Sequence, residues 1–406
     1  MRRAFSAAGV LTSTLLFLAL FAHFNPFGMV CDAMDKLFGA PPKWTQVTNY
    51  YLNPKTQEIT HGDDPMPGLG ILKQYWHEHG GAGRTIFMGN SQMHSITLAS
   101  GELPMNTPDK TYVDLVMDQI RSQNPNELLY RLSYSGLSYP EALWQINYML
   151  SDSDLRPQTV VLQMNYQAFW TGGIRDSMLP MLSRPSFRAQ IETLAASNRP
   201  DAPTYVGALQ RYDQLAAKNK SAAHATTNPG DTGLATIFSN SDFTPGYAIE
   251  TRTRGWIDQA WSRESRDELK ESFENVLYRG RLYLLRVKPS TARSISGYRL
   301  MASSSALDSV AALCKENNIK LILFYAPVNP TVSLYRTPEN RKSFREIVEG
   351  VAAKHGVALF DFENSISAEH WGRMLSGPDP LHMGRSAQQQ MAKQIVEAIE
   401  SVEAKN

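Results

Sequence analysis

The sequence predicts an α/β protein: a three-layer αβα fold with a parallel, doubly wound sheet, a transmembrane helix ahead of it and an insertion after its third strand. Two observations point to the sheet and a third to the helix. Short apolar runs alternate with amphipathic helical stretches, as in parallel sheets covered by helices on both faces. Those runs are continuously apolar, as in Thr159-Val160-Val161-Leu162-Gln163-Met164, rather than alternating. Met1-Arg2-Arg3 is followed by an uncharged stretch from Ala4 to Phe24. At 1.5 Å per residue that stretch is roughly 30 Å long, enough to cross a bilayer core.

Composition narrows the classes. Of 406 residues, 42% are hydrophobic and 19% charged, which excludes disordered, collagen-like and disulfide-scaffold chains. The 40 basic and 39 acidic residues nearly cancel, so there is no electrostatic footprint for nucleic acid. Cys31 and Cys314 lie far apart and show no metal-ligand spacing.

Arg2 and Arg3 before the apolar stretch, and Asp32 and Asp35 after it, orient the N-terminus to the cytoplasm. Phe21-Ala22-His23-Phe24 is a poor signal-peptidase site, and Gly28-Met29-Val30 is a weak approach to a lipidated Cys31. An apolar circumference argues against a buried core helix. A retained signal anchor is the expectation, placing the rest of the chain in the periplasm or outside the cell, on a bacterial inner membrane.

Pro41-Pro42, Asn53-Pro54, Asp64-Pro65 and Pro67-Gly68 then read as turns of a stalk. Beyond Gly83 come strand Thr85–Met88, a helix capped by Asp109, strand Leu128–Leu132, a helix opened by Pro140, and strand Thr159–Met164. Helical fragments broken by polar stretches fill the chain to Met301. A helix through Leu307, Val310 and Cys314 resumes the pattern, followed by strand Ile319–Tyr325, a helix, strand Val357–Phe360 and a last helix. The expected division is an N-terminus with anchor over 1–30, a stalk over 31–83, an α/β domain over 84–170 and 302–406, and an insertion or cap over 171–301.

Two places could carry nucleophilic chemistry. Gly89-Asn90-Ser91 follows the first strand; glycine permits a sharp turn there, and Ser91 would open the next helix with its N–H free to donate. Asp379-Pro380-Leu381-His382 precedes the last helix, in a loop where the carboxylate could orient the imidazole through its second nitrogen. Each alone is more often an ordinary turn or surface loop.

Together, Gly-x-Ser after the first strand and Asp-x-x-His before the last helix resemble the SGNH hydrolase superfamily. Gly136 in Tyr134-Ser135-Gly136 and Asn165 in Gln163-Met164-Asn165-Tyr166 match that family's oxyanion glycine and asparagine. The resemblance spans about residues 84–402 apart from the insertion, and implies a flavodoxin-like sheet. It also implies that Ser91 is the nucleophile, His382 its general base and Asp379 the acid that orients it. The oxyanion hole would be the N–H groups of Ser91 and Gly136 with the Asn165 side chain, and no cofactor or metal is required.

The sequence departs from the family at Asn90, where aspartate is usual, and at Gln163 and Tyr166 around Asn165. Such drift is similar to a membrane-anchored subset that works beside a membrane-bound O-acyltransferase, in O-acetylation of alginate, cellulose and peptidoglycan or D-alanylation of teichoic acids. The implied function is an O-acyltransferase or esterase acting on a cell-envelope or exported polysaccharide. A stand-alone secreted carbohydrate esterase and an inactive scaffold subunit are the alternatives.

The remaining features are ambiguous. His77 and His79 have no third ligand at a suggestive spacing and read as exposed polar residues. His94, three residues after Ser91, reads as a helix-surface residue within reach of a substrate. Tyr166 and Trp170, with Phe169, are either sugar-binding faces or core. Arg252, Arg254, Trp256 and Trp261 in the insertion suit a polysaccharide groove or a solvated helix with buried tryptophans.

Overall fold

The structure, a computed structural model, describes residues 83–97, 110–134, 136–169, 173–224, 297–332, 337–374 and 377–404, with residue 295 and short pieces between 44 and 77. The chain divides into one unit of Pro42–Lys218 with Ser290–Asn406 and another of Met1–Pro41 with Asn219–Pro289. The second lies outside the described residues except for the end of one helix. The expected anchor and Cys31 are therefore also outside them. No described helix is long and apolar enough to cross a membrane.

The first unit is built on five parallel strands: β1 (Gly83–Gly89), β2 (Glu127–Ser133), β3 (Thr159–Met164), β4 (Lys320–Tyr325) and β5 (Ala358–Asp361). Their order across the sheet is β2-β1-β3-β4-β5, the doubly wound 2-1-3-4-5 arrangement. Gly89 pairs with Ser133 and Met88 with Leu162, so β1, β2 and β3 end at one level and the loops after them converge. In this topology the chain reverses direction across the sheet between β1 and β3, which opens a crevice at their carboxyl ends.

Successive side chains of a strand point to opposite faces, and each face has its own helices. On one face Phe87, Leu129, Val161, Ile322 and Phe324 pack under α1 (Tyr112–Gln123) and α7 (Arg385–Glu403). The other face carries Ile86, Met88, Leu132, Val160, Leu162 and Leu323, all buried. Its helices α2 (Tyr139–Leu150), α5 (Gly297–Glu316) and α6 (Pro338–His355) adjoin one another, α5 touching both neighbours.

Helix α1 is capped by Thr111 and not by Asp109, which lies outside the described residues. The Thr111 hydroxyl accepts from Asp114 N and the Asp114 carboxylate accepts from Thr111 N, a closed capping box. Ser138 and Glu141 form the same box at α2, with Pro140 in the first turn. Such a cap is typically worth ~1 kcal/mol.

Residues 173–217 belong to the packed unit. They form a 3₁₀ segment (Asp176–Ser183), α3 (Pro185–Ala195) and most of α4 (Ala202–His224). Phe187 meets Trp144 edge-on at 5.1 Å and Tyr205 stacks on it at 6.4 Å. Helix α2 is thereby buried nearly all round, although Leu143, Ile146 and Leu150 mark only one apolar face in the sequence. The later part of the expected insertion, with Arg252, Arg254, Trp256 and Trp261, lies outside the described residues.

Part of the segment read as a stalk is also packed: Leu69, Leu72 and Trp76 are buried, and Lys73 pairs with Asp152 at 2.8 Å. Trp44–Thr45 pairs antiparallel with Ile96–Thr97. Apolar side chains at 69, 72 and 76 recur at helical spacing, a pattern hidden among the prolines. His77 is exposed, and His79 lies outside the described residues. Cys314 is free and buried, and burial pushes its thiol up to about 12.

Candidate active site

Three sequence-selected residues from distant parts of the chain meet at the carboxyl end of β1. His382 Nε2 lies 3.0 Å from Ser91 Oγ, and His382 Nδ1 lies 3.0 Å from Asp379 Oδ2. The Asp379 side chain is 1% exposed and that of His382 14%, so the acid is enclosed while the imidazole edge reaches solvent. Burial raises the Asp379 carboxyl, but the nearby His382 charge and hydrogen bonds from His382 and from Leu381 N outweigh it, holding the group below its usual range. An ionised carboxylate on Nδ1 fixes the ring with Nε2 toward the serine, the arrangement a general base needs.

Ser91 opens a single 3₁₀ turn, Ser91–Met93, and not the longer helix expected. Asn90 caps it: its Oδ1 accepts from Gln92 N at 3.1 Å, an acceptor role that aspartate would fill equally. Gly89 is not there for a left-handed conformation, since the positive-φ glycines among the described residues are Gly136 and Gly356. It is required by proximity. A Cβ at Gly89 would stand 2.5 Å from Gln163 Oε1 and 2.7 Å from Met93 Sδ and Cε.

The expected loop around Asp379 and His382 is a strand. β6 (Trp371–Met374) and β7 (Gly377–Met383) form an antiparallel pair, with Trp371 opposite Met383. Pro378 and Pro380 disguise it, because proline is rare in paired strands. Asn329, buried after β4, donates to Asp379 O at 2.9 Å and holds this strand from the side.

Of the expected oxyanion donors, Gly136 lies three residues beyond β2 with φ +67°, a conformation that favours glycine. Asn165 follows β3 and is buried; its Oδ1 accepts from Gln167 N at 2.8 Å, which turns Nδ2 the other way, toward Gln92 Oε1 at 3.4 Å. Ser135, between Tyr134 and Gly136, lies outside the described residues.

His94 is not a surface residue. It is 3% exposed, with Nδ1 3.1 Å from Ser133 Oγ. Burial, and then the charges of Arg131, His382 and Arg175, drive its pKa down to about 3, so it stays neutral. Tyr166 is buried, with its ring edge-on to Phe344 at 5.9 Å, which leaves no open face for a sugar. Trp170 lies outside the described residues.

Sequence reasoning missed a polar network behind the serine. Gln163 Oε1 accepts from Asn90 N at 3.0 Å, and Gln163 Nε2 donates to Gln92 Oε1 at 2.9 Å. Gln92 Nε2 donates to Pro327 O at 2.9 Å and Leu381 O at 2.6 Å. Arg131 of β2, also buried, donates to Met93 O at 3.1 Å, Thr111 Oγ1 at 3.0 Å and Asp114 Oδ1 at 2.9 Å. The signal was a polar residue inside an apolar run: Gln163 near the end of β3, Arg131 within β2. No group of three or more potential metal ligands occurs among the described residues.

No family model matches this sequence, and no curated protein does either. Among solved structures, it is similar to LAE5, an alpha/beta hydrolase enzyme from the metagenome of Lake Arreo (12% identity, TM-score 0.36, 78% of this chain and 95% of the other). It is also similar to Axe2, an acetylxylan esterase from Geobacillus stearothermophilus (11%, 0.36, 79% and 94%). A third is the esterase EstA from a Pseudoalteromonas species (11%, 0.33, 78% and 97%). At such distant likeness the chemistry of the site has to be read from its own geometry.

Proposed function

We propose that this chain is a serine esterase or acyltransferase of SGNH type that works through an acyl-serine. The observation that carries the reading is the continuous relay Ser91 Oγ–His382 Nε2 and His382 Nδ1–Asp379 Oδ2, both at 3.0 Å, at the crevice of a 2-1-3-4-5 sheet. In the first half-reaction Ser91 Oγ attacks an ester carbonyl while His382 Nε2 takes its proton. The N–H groups of Ser91 and Gly136 and the Asn165 amide receive the oxyanion. His382 then protonates the departing alcohol. In the second half, water or a sugar hydroxyl gives its proton to His382 and attacks the acyl-serine; the C–Oγ bond breaks, the acid or new ester leaves, and His382 returns the proton to Ser91 Oγ.

The finer reading rests on the family resemblance of the four sequence blocks. It is an N-terminally anchored, periplasm-facing enzyme that moves acyl groups, acetyl above all, to or from a cell-envelope or exported polysaccharide. A membrane-bound O-acyltransferase is its acyl-donating partner.

The test is the intact mass of the full chain after brief exposure to p-nitrophenyl acetate, beside Ser91→Ala. One acetyl adduct in the wild type and none in the variant is expected. Faster release of that adduct by glycan hydroxyls than by water supports transfer. No adduct and no ester turnover in either protein would sink the enzymatic reading.

A further inference from the structure

We propose that Gln92 is the positioning residue of this acyl-transfer centre, setting the distance between the nucleophile turn and the Asp379–His382 strand and aiming the Asn165 amide. The inference rests on the proposed serine chemistry and adds a residue to it.

Gln92 is 0% exposed, and all four of its hydrogen-bonding valences are engaged. Nε2 donates twice, to Pro327 O and Leu381 O; Oε1 accepts twice, from Gln163 Nε2 and Asn165 Nδ2. The direction of this chain is not arbitrary. Asn90 N can only donate, so Gln163 must present Oε1 to it and Nε2 to Gln92. The two carbonyls can only accept, so Gln92 must turn its NH₂ to them and its oxygen to Gln163 and Asn165. One amide therefore ties together the turn after β1, the ends of β3 and β4, and β7. Leu381 is the residue before His382, and Gln92 the one after Ser91. The 3.0 Å Ser91–His382 distance is thus spanned on its protein side by a single side chain.

Asn165 is placed by the same oxygen. Its Oδ1 is held by Gln167 N, and one Nδ2 hydrogen is drawn to Gln92 Oε1; the second hydrogen is the one that would meet an oxyanion. Gln92 touches neither substrate nor Ser91 Oγ in this scheme. It acts through the groups it holds, and reaction rates are steep in such placement: a misplacement of 1 Å can cost ~100-fold.

The experiment compares full-length wild type, Gln92→Met, Gln92→Glu and Ser91→Ala. Methionine keeps the volume and removes all four hydrogen bonds. The expected result with p-nitrophenyl acetate is a kcat about 100-fold lower with KM within about twofold, because the substrate's own contacts are intact. Glutamate supplies a readout that a purely structural role does not move. Protonated, its carboxyl donates to Leu381 O; ionised, it faces two carbonyl oxygens. Gln92→Glu should therefore show a falling alkaline limb in its kcat–pH profile that wild type lacks, with near-ultraviolet circular dichroism constant across it. Should Gln92→Met fail to fold, the alkaline limb of Gln92→Glu against wild type decides.

A kcat within threefold of wild type for Gln92→Met, or a Gln92→Glu profile superimposable on wild type, would overturn the positioning role. Labelling by a fluorophosphonate separates that from failure of the underlying reading. Wild type labelled at Ser91 with a fully active Gln92→Met removes only the role of Gln92. Wild type unlabelled and equal to Ser91→Ala removes both.

Discussion

His94 makes a quantitative prediction about acid stability. The imidazole sits behind the nucleophile turn, 3% exposed and within the fields of Arg131, His382 and Arg175, and its pKa falls from 6.5 to about 3. In the folded chain it stays neutral down to that value, whereas unfolded it takes up a proton below 6.5. The unfolded state thus binds more protons between these limits, and stability falls as pH falls through that window. Each pH unit below 6.5 costs about 1.4 kcal/mol, so the step from pH 7.5 to 5 removes about 2 kcal/mol through this residue alone. His94→Gln retains an amide able to reach Ser133 Oγ and cannot titrate. Urea unfolding of both proteins, followed by tryptophan fluorescence, should show wild type losing about 2 kcal/mol more than the variant over that range. The lowered Asp379 carboxyl destabilises in the same direction only at lower pH, since its stabilisation is complete above its ordinary value of 3.8. Curves that run parallel to within about 0.5 kcal/mol would refute a buried, neutral His94.

Two glycines should each lose stability on replacement by alanine, for different reasons. Gly89→Ala drives a methyl into Gln163 and Met93, and should cost about 1–3 kcal/mol in denaturant melts and at least roughly tenfold in ester turnover as the Asn90–Gln163 contact is displaced. Gly136→Ala meets open space and should cost only the left-handed backbone penalty, about 1–2 kcal/mol. Asp114→Ala strips the buried Arg131 guanidinium of this carboxylate, an ion pair with side chains 5% and 6% exposed, and should cost about 3–5 kcal/mol. Adding Arg131→Met should recover part of that loss; a double variant weaker than the single would argue against the ion pair as the cause.

The parallel strands were legible because each is a dense apolar run closed by glycine or polar residues, and their ends fall within two residues of expectation. Ser91, Asp379 and His382 were legible as two motifs; that they meet is a fact of topology that no local pattern carries. Pro378 and Pro380 hid β7, since propensity argues against a strand that pairing with β6 nevertheless sustains. Trp144 and Tyr148 lie off the stripe that Leu143, Ile146 and Leu150 make along α2, and their cover, Phe187 and Tyr205, comes from a segment with no strand–helix rhythm. The Gln92–Gln163 chain was illegible for a different reason. A buried amide is recognisable only by its partners, and those of Gln92 come from three separate stretches of chain.

Ser91 and His382 are separated by 291 positions, and the strand bearing the histidine is followed by α7. A chain growing from its N-terminus therefore completes β1 to β5 before His382 can reach Ser91. α7 then clamps the arrangement, with Gln388 accepting from Tyr112 N at the head of α1 and donating to Met383 O beside His382. Under the proposed chemistry, ester turnover therefore reports closure of a contact 291 positions apart in sequence, a non-local event in folding.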